Sequence, residues 1–142
     1  TEYNMKLHVV RPEQEAIGNY TRAIAHNNEI NLSQVSDNEC EVIMANDVID
    51  SFTLEKVPQL IQTLAKKMRM NGTLVIGGTD VRLLCKLVIN DQLEEAEASN
   101  IIGLIKSATS PLQIKSLLQQ VGLQVISSQI TGVHYELTAK RS

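Results

Sequence analysis

Hydrophobic and polar positions fall into short blocks along the chain, and their periods predict strands and helices in turn. An apolar run at residues 5–10 predicts a strand that ends at Arg11-Pro12, because proline cannot continue a central ladder. Residues 13–26 carry apolar side chains at near-helical spacing and predict a helix. Residues 30–35 alternate apolar and polar. That alternation favours a short edge strand or an extended loop.

The centre of the chain predicts a strand, a helix and a second strand. Residues 41–45 form an almost unbroken β-prone run, as expected of a strand covered on both faces. From residue 55 to Asn71-Gly72 we predict a helix, on one apolar stripe made of Val57, Leu60, Ile61, Leu64, Ala65 and Met68. Residues 73–76 predict the second buried strand, which Gly77-Gly78 is expected to stop. This order is a βαβ unit with parallel strands.

Two more helices are indicated by their capping signals. Asp80 can cap a helix whose apolar stripe follows directly. The acidic stretch at 94–97 is most simply a solvated helical face. Ser110, followed by Pro111 and by Gln113, has the pattern of a capping box. Gly122 is expected to end this last helix.

The end of the chain predicts an antiparallel hairpin. Residues 123–128 and 133–139 are β-prone and flank a short polar turn. Together the elements predict one domain over residues 1–142. Its fold class is α/β, with an open, mainly parallel, Rossmann-like sheet that the hairpin finishes.

The residues beyond the central strands are the candidates for a site. Ligands of open α/β sheets bind beyond the carboxyl ends of the strands. The fold argument therefore nominates Asn46, Asp47, Asp50, Gly77, Gly78, Thr79 and Asp80. Carboxylates and glycines at such places also serve as plain caps and turns, so the residues alone leave both interpretations open.

Composition argues against bulk nucleic-acid binding. Thirteen Lys and Arg against 16 Asp and Glu give a net charge of −3, which provides no general attraction to phosphate backbones. Aromatic residues make up only 3% of the chain, so base-stacking modules are disfavoured. A small-molecule ligand is the remaining expectation.

Cysteine and hydropathy patterns suggest a reduced, cytoplasmic protein. Cys40 and Cys85 form neither a disulfide framework nor a zinc motif, so we expect buried thiols and no metal. The first four residues do not resemble a signal peptide, and no apolar run approaches the length of a membrane span.

Several segments resemble one known family. The run at 40–52, Cys-Glu-Val-Ile-Met-Ala-Asn-Asp-Val-Ile-Asp-Ser-Phe, is similar to the fourth-strand motif of class I S-adenosylmethionine-dependent methyltransferases of the type 11 kind. Residues 68–76 resemble the end of that family's next helix and its fifth strand, and Asp80 matches an Asp common just beyond. Residues 100–103 and 114–126 resemble two later elements. The resemblance spans roughly residues 29–141 and implies a methyltransferase-type sheet.

The resemblance also implies a cofactor and roles for particular residues. S-adenosylmethionine would contact Asn31, Leu32, Asn46, Asp47 and Gly77. Asp47 or Asp50 would orient or deprotonate a small or sugar-linked methyl acceptor, and Thr79 and Asp80 would line the substrate site.

The chain also departs from the family pattern, at its amino-terminal end. There the family has a Gly-x-Gly-x-Gly turn near the cofactor's methionine moiety and an acidic residue that holds the ribose hydroxyls. Here Arg11-Pro12 follows the first strand, Asn31 replaces an Asp that often contacts adenine, and the amino-terminal half is shortened. Two functions therefore stay open: a methyltransferase, or a non-catalytic module of the same fold that binds or assembles through an oligomer or a partner chain.

Overall fold

The computed structural model describes residues 5–142, so the prediction about the first four residues lies outside it. Those residues form one seven-stranded sheet and four α-helices. The strands are β1 (Met5–Val10), β2 (Thr21–His26), β3 (Glu29–Ile30), β4 (Cys40–Ala45), β5 (Met68–Thr79), β6 (Leu123–Thr131) and β7 (His134–Arg141). The helices are α1 (Val57–Lys67), α2 (Val81–Ile89), α3 (Glu95–Ile102) and α4 (Pro111–Gln120).

The strand order across the sheet is β3-β2-β1-β4-β5-β7-β6. The central pairings β2 with β1, β1 with β4 and β4 with β5 are parallel. The outer pairings β3 with β2, β5 with β7 and β7 with β6 are antiparallel. The α/β class and the closing hairpin are confirmed, whereas the sheet is mixed rather than mainly parallel.

The predicted βαβ unit is β4, α1 and β5. The apolar stripe of α1 buries Leu60, Ile61 and Leu64 in the main core, against strand residues such as Ile43. The predicted end of the helix at Asn71-Gly72 is wrong, because Met68 already has extended geometry and begins β5. Met68 pairs with Cys40 of β4, and this strand pairing replaces the last turn of the predicted helix.

The predicted helix at residues 13–26 is also wrong. Its second half is strand β2, where Ala23 and Ala25 alternate with more exposed neighbours and lie in the core. Alanine favours helices by itself, but parallel pairing with β1 decides the outcome here. A connection without a helix, residues 11–20, joins the two strands. Of the segment at 30–35, only Ile30 belongs to a strand, the two-residue edge strand β3.

The helix caps and the closing hairpin follow the sequence closely. The Asp80 carboxylate accepts a hydrogen bond from the Leu83 amide, and the Ser110 hydroxyl accepts one from the Gln113 amide. Gly122 follows α4 with a positive φ of 87°. The hairpin turn is tighter than predicted, because Thr131 and His134 already pair directly.

Candidate functional site

The carboxyl ends of β1 and β4 lie side by side in the middle of the sheet. From β1 the chain proceeds to β2 and β3 on one side, and β4 and β5 lie on the other. This is the switch point at which open α/β sheets leave a crevice for ligands. His8 pairs with Met44, which brings the residues after both strands to the same level. Five polar side chains meet here: His8, Arg11, Asn46, Asp47 and His134.

Asn46 is held between two histidines. Its backbone carbonyl lies 2.7 Å from Nε2 of His134, on β7. Its side chain hydrogen-bonds that of His8, on β1. Nδ1 of His8 accepts a hydrogen bond from the Ile17 amide, so this histidine also anchors the connection between β1 and β2. Burial lowers the pKa of His8, and the hydrogen bond to Asn46 partly offsets this.

Asp47 faces Arg11 across the switch point. The guanidinium Nη2 of Arg11 lies 3.6 Å from Oδ2 of Asp47, and its Nε lies 3.1 Å from Oε1 of Glu13. Nε is buried but has no aligned hydrogen-bond acceptor. Burial raises the pKa of the Asp47 carboxyl, while the charges of Arg11 and His134 oppose the rise. The Asp47 side chain keeps 39% exposure and is therefore accessible to a ligand.

The diglycine lies inside β5, which continues to Thr79, so its predicted role as a strand stop is wrong. A Cβ on Gly77 would stand 2.4 Å from the Tyr135 carbonyl oxygen and 2.6 Å from that of Asn46. A Cβ on Gly78 would stand 3.0 Å from Oδ1 of Asp50. Gly77 requires glycine because two backbone carbonyls approach it closely, whereas a Cβ on Gly78 would meet only side-chain atoms.

Asp50 is bound to the end of β5. Its Oδ1 accepts a hydrogen bond from the Thr79 amide at 2.9 Å, and its Oδ2 accepts one from the Thr79 hydroxyl at 2.7 Å. Next to this pair, the hydroxyls of Tyr135 and Thr109 lie 2.7 Å apart, and burial raises the pKa of Tyr135. Asp50 thus joins the loop after β4 to β5.

The other predicted residues lie in different settings. Thr79 and Asp80 are more than nine-tenths buried, one bound to Asp50 and the other capping α2. Leu32 belongs to the hydrophobic core, and the exposed Asn31 side chain accepts hydrogen bonds from Ser33. Asn31 follows β3, three strand spacings from β4, which is roughly 14 Å across the sheet.

Sequence reasoning missed several residues of this edge. His8 and His134 carry no local sequence motif, and only the strand register shows that both reach Asn46. Glu29 was missed because β2 was taken for a helix. With β2 ending at His26, Glu29 is the next acidic residue. It lines a cleft of about 400 Å³ together with Ile24, His26, Ile30 and Asn31.

The described part of the chain has neither a cluster of metal-ligating side chains nor a helix suited to span a membrane. Among residues 5–142 no three His, Cys, Asp or Glu side chains are grouped to hold a metal ion. In the same range no helix has both the length and the apolarity to cross a membrane.

Comparisons with known proteins show which fold this is. No family model and no curated protein matches the sequence. Among solved structures, a SAM-dependent methyltransferase from Archaeoglobus fulgidus matches 87% of this chain and 69% of its own, with a TM-score of 0.59 and 14% identity. An O-methyltransferase family protein from Burkholderia thailandensis matches 88% of this chain and 36% of its own, with a TM-score of 0.57 and 16% identity.

A third structure holds two ligands. It is the Burkholderia thailandensis 1,6-didemethyltoxoflavin-N1-methyltransferase with bound 1,6-didemethyltoxoflavin and S-adenosylhomocysteine. It matches 75% of this chain and 46% of its own, with a TM-score of 0.51 and 11% identity. The chain thus spans less than half of the length of the two Burkholderia proteins. These likenesses show that the chain has the class I methyltransferase fold.

Proposed function

We propose that the protein binds S-adenosylmethionine along the carboxyl edge of its sheet and transfers the methyl group to a small or sugar-linked acceptor. The observation that carries this proposal is the meeting of Arg11, Asn46 and Asp47 at the switch point between β1 and β4. In the class I fold that position is where a ligand is expected.

The residues at the carboxyl edge of the sheet suit S-adenosylmethionine, although they differ from those of the family pattern. At the β1 end a guanidinium replaces the glycine turn, and its partly exposed side chain, which pairs with Glu13 and Asp47, suits a carboxylate such as that of the methionine moiety in exchange for one of these pairs. At the β3 end Glu29 and Asn31 line one cleft, and their oxygens and amide suit ribose hydroxyls and adenine. The ten-residue connection at 11–20, which has no helix, supports a shortened amino-terminal half.

The chemistry asks little of the protein beyond alignment. The cofactor would supply a methyl group on a sulfonium, which an acceptor displaces in line. Asp47 is the group suited to accept the acceptor's proton, because it is accessible and its pKa is raised. Asp50 stays a candidate for the same role, although both its oxygens already bind Thr79.

The test is ligand-dependent stability together with calorimetry. Saturating S-adenosylmethionine or S-adenosylhomocysteine should raise Tm, and Asp47→Ala should abolish the rise. Asp37→Ala is the matched control, since Asp37 pairs with Lys67 rather than with an edge residue. Absence of any shift at millimolar cofactor, or an equal loss in both variants, would contradict the proposal.

The second candidate is a non-catalytic module, and the ion pair between Arg11 and Asp47 favours it. The two side chains span the ends of β1 and β4 and occupy part of the space a cofactor needs. In this case the exposed edge of β6 is the natural assembly surface. Its nine residues include no charged side chain and carry the exposed Ile126 and Ile130, whereas most edge strands are protected by charge.

Light scattering tests the second candidate. A dimer through β6 should show twice the 15.7 kDa chain mass, and Ile126→Lys should return it to monomer. Ile89→Lys, at an exposed position on α2, should not. A monomer at every concentration would rule out self-assembly through β6. A cytoplasmic location is part of both proposals, supported by the two free cysteines.

A further inference from the structure

A large apolar cleft lies between α2 and α3, away from the switch point. Its volume is about 530 Å³, which is within the usual range for small-molecule sites. Its walls are mainly aliphatic and include Leu84, Val88, Ala98, Ile102 and Ile105. None of Arg11, Asn46 and Asp47 lines it.

The cleft exists because the two helices bury little of their apolar surface. Of α2 only Leu84 is fully buried, and of α3 only Ala98. Ile89 and Ile102 remain 79% and 55% exposed at the cleft. Such side chains would be stabilised by contact with an apolar ligand.

One carboxylate at the cleft indicates the charge that a ligand should carry. Glu95 is the single charged residue among the described residues that line it. It is exposed, and within residues 5–142 it has no ion pair. A carboxylate beside apolar walls complements a ligand that joins a cation to an apolar body and disfavours an anionic one.

We infer that this cleft binds an apolar small molecule that carries a protonated amine. The amine pairs with Glu95, and the apolar body packs between Leu84, Val88 and Ile102. The ligand class follows from the cleft alone and goes beyond the proposed methyl transfer, so either can fail without the other.

Calorimetry with three naphthalene probes tests the ligand class. These are 1-naphthylmethylamine, 1-naphthylmethanol and 1-naphthylacetate, which share the ring and differ in charge. The amine should bind about threefold more tightly than the alcohol, as expected for a partly exposed ion pair, and the acid more weakly than both. Glu95→Gln should remove the preference, while Glu97→Gln, on the same helix but outside the cleft, should keep it.

Thiol protection locates the site independently. The prediction of two buried thiols is wrong for Cys85, which is exposed and lines the cleft, whereas Cys40 is buried with a pKa raised to about 11. Saturating amine should slow the alkylation of Cys85 by iodoacetamide at least threefold. Unchanged alkylation, equal affinity for the three probes, or equal effects of the two glutamate variants would overturn the inference.

Discussion

The two sides of the sheet are built on different principles. Between residues 40 and 141, α1 and α4 pack on the strands and bury large side chains such as Leu64 and Ile114. Between residues 5 and 39, three strands are joined without any helix, and the core positions of β2 are the small Ala23 and Ala25. We call residues 40–141 the helix-covered region and residues 5–39, which form strands but no helix, the bare region.

The two regions therefore have different roles, because one provides most of the core and the other provides part of the proposed ligand site. The helix-covered region retains the elements that give the class I methyltransferase fold. The bare region contains two residues of the proposed cofactor site, Arg11 at the end of β1 and Glu29 in the pair of β2 and β3. The residues at the carboxyl edge of a sheet can therefore differ between proteins of one fold, because the contacts that stabilise the core do not involve them.

The largest expected effect is a core truncation in the covered region. Leu64 is fully buried, so Leu64→Ala should lower the free energy of unfolding by about 2–5 kcal/mol. Leu32→Ala, the same change in the bare region, should cost roughly 1–2 kcal/mol because Leu32 lies in a loop and retains 9% exposure. Urea unfolding measures both free energies. Equal losses would contradict the conclusion that the helix-covered region contributes more to stability than the bare region.

A glycine pair sharpens the same contrast. In Gly77→Ala the new methyl would overlap two backbone carbonyls and should cost about 2–3 kcal/mol. Gly18 has no atom near its Cβ direction and no positive φ, so Gly18→Ala should be neutral or stabilise by up to about 1 kcal/mol. Thermal unfolding measures the change in stability of both variants. A loss of stability in Gly77→Ala as small as that in Gly18→Ala would contradict the close contact of Gly77 with the two carbonyls.

Two tyrosines give a smaller difference. Tyr135→Phe leaves the buried Thr109 hydroxyl without its partner and should cost about 1–2 kcal/mol. Tyr20, whose ring makes an edge contact with His8, is only partly buried, so Tyr20→Phe should change stability by less than about 0.5 kcal/mol. Chemical denaturation distinguishes the two. A Tyr135→Phe variant as stable as wild type would show that the hydroxyl pair contributes nothing.

The smallest effect is a pH dependence in the bare region. Because burial lowers the pKa of His8 below 6.5, the unfolded chain binds a proton below that pH more readily than the folded chain. The contribution to stability is therefore present above the pKa of the unfolded chain and is lost as the pH falls toward the lowered pKa of His8 in the folded chain. His8→Gln should flatten this part of the stability profile, while His26→Gln, at an exposed position, should not.

Hydrogen exchange at Ile17 gives a local readout of the same event. Protonation of Nδ1 on His8 removes the acceptor of the Ile17 amide, so the protection factor of that amide, which is its exchange rate relative to the intrinsic rate at the same pH, should fall on acidification. An unchanged protection factor would contradict the assigned anchor.

The sequence predicted the elements whose pattern and neighbours agree. The β-prone run at 41–45, the apolar stripe of α1 and the Ser110 cap all appear as expected. The helix predicted for residues 13–26 is wrong because Ala16, Tyr20 and Ile24 also fit helical spacing. Only the pairing of β2 with β1 selects the strand. The strand end predicted at Gly77-Gly78 is wrong. In a sequence, a glycine that allows neighbouring backbone atoms to approach closely cannot be distinguished from a glycine in a turn.

The candidate site was predicted in part. Asn46 and Asp47 were found because they directly follow a recognisable strand. Their use by a ligand stays a prediction. Arg11, His8 and His134 come from distant positions, and no local pattern connects them to Asn46.

By itself the sequence determined the helix-covered core, since apolar periodicity and caps act over a few residues and need no distant partner. The tertiary structure alone decided strand β2, the buried diglycine and the polar cluster at the switch point. Each of these depends on which strands become neighbours, and that pairing is settled by the burial of the whole sheet rather than by any one segment.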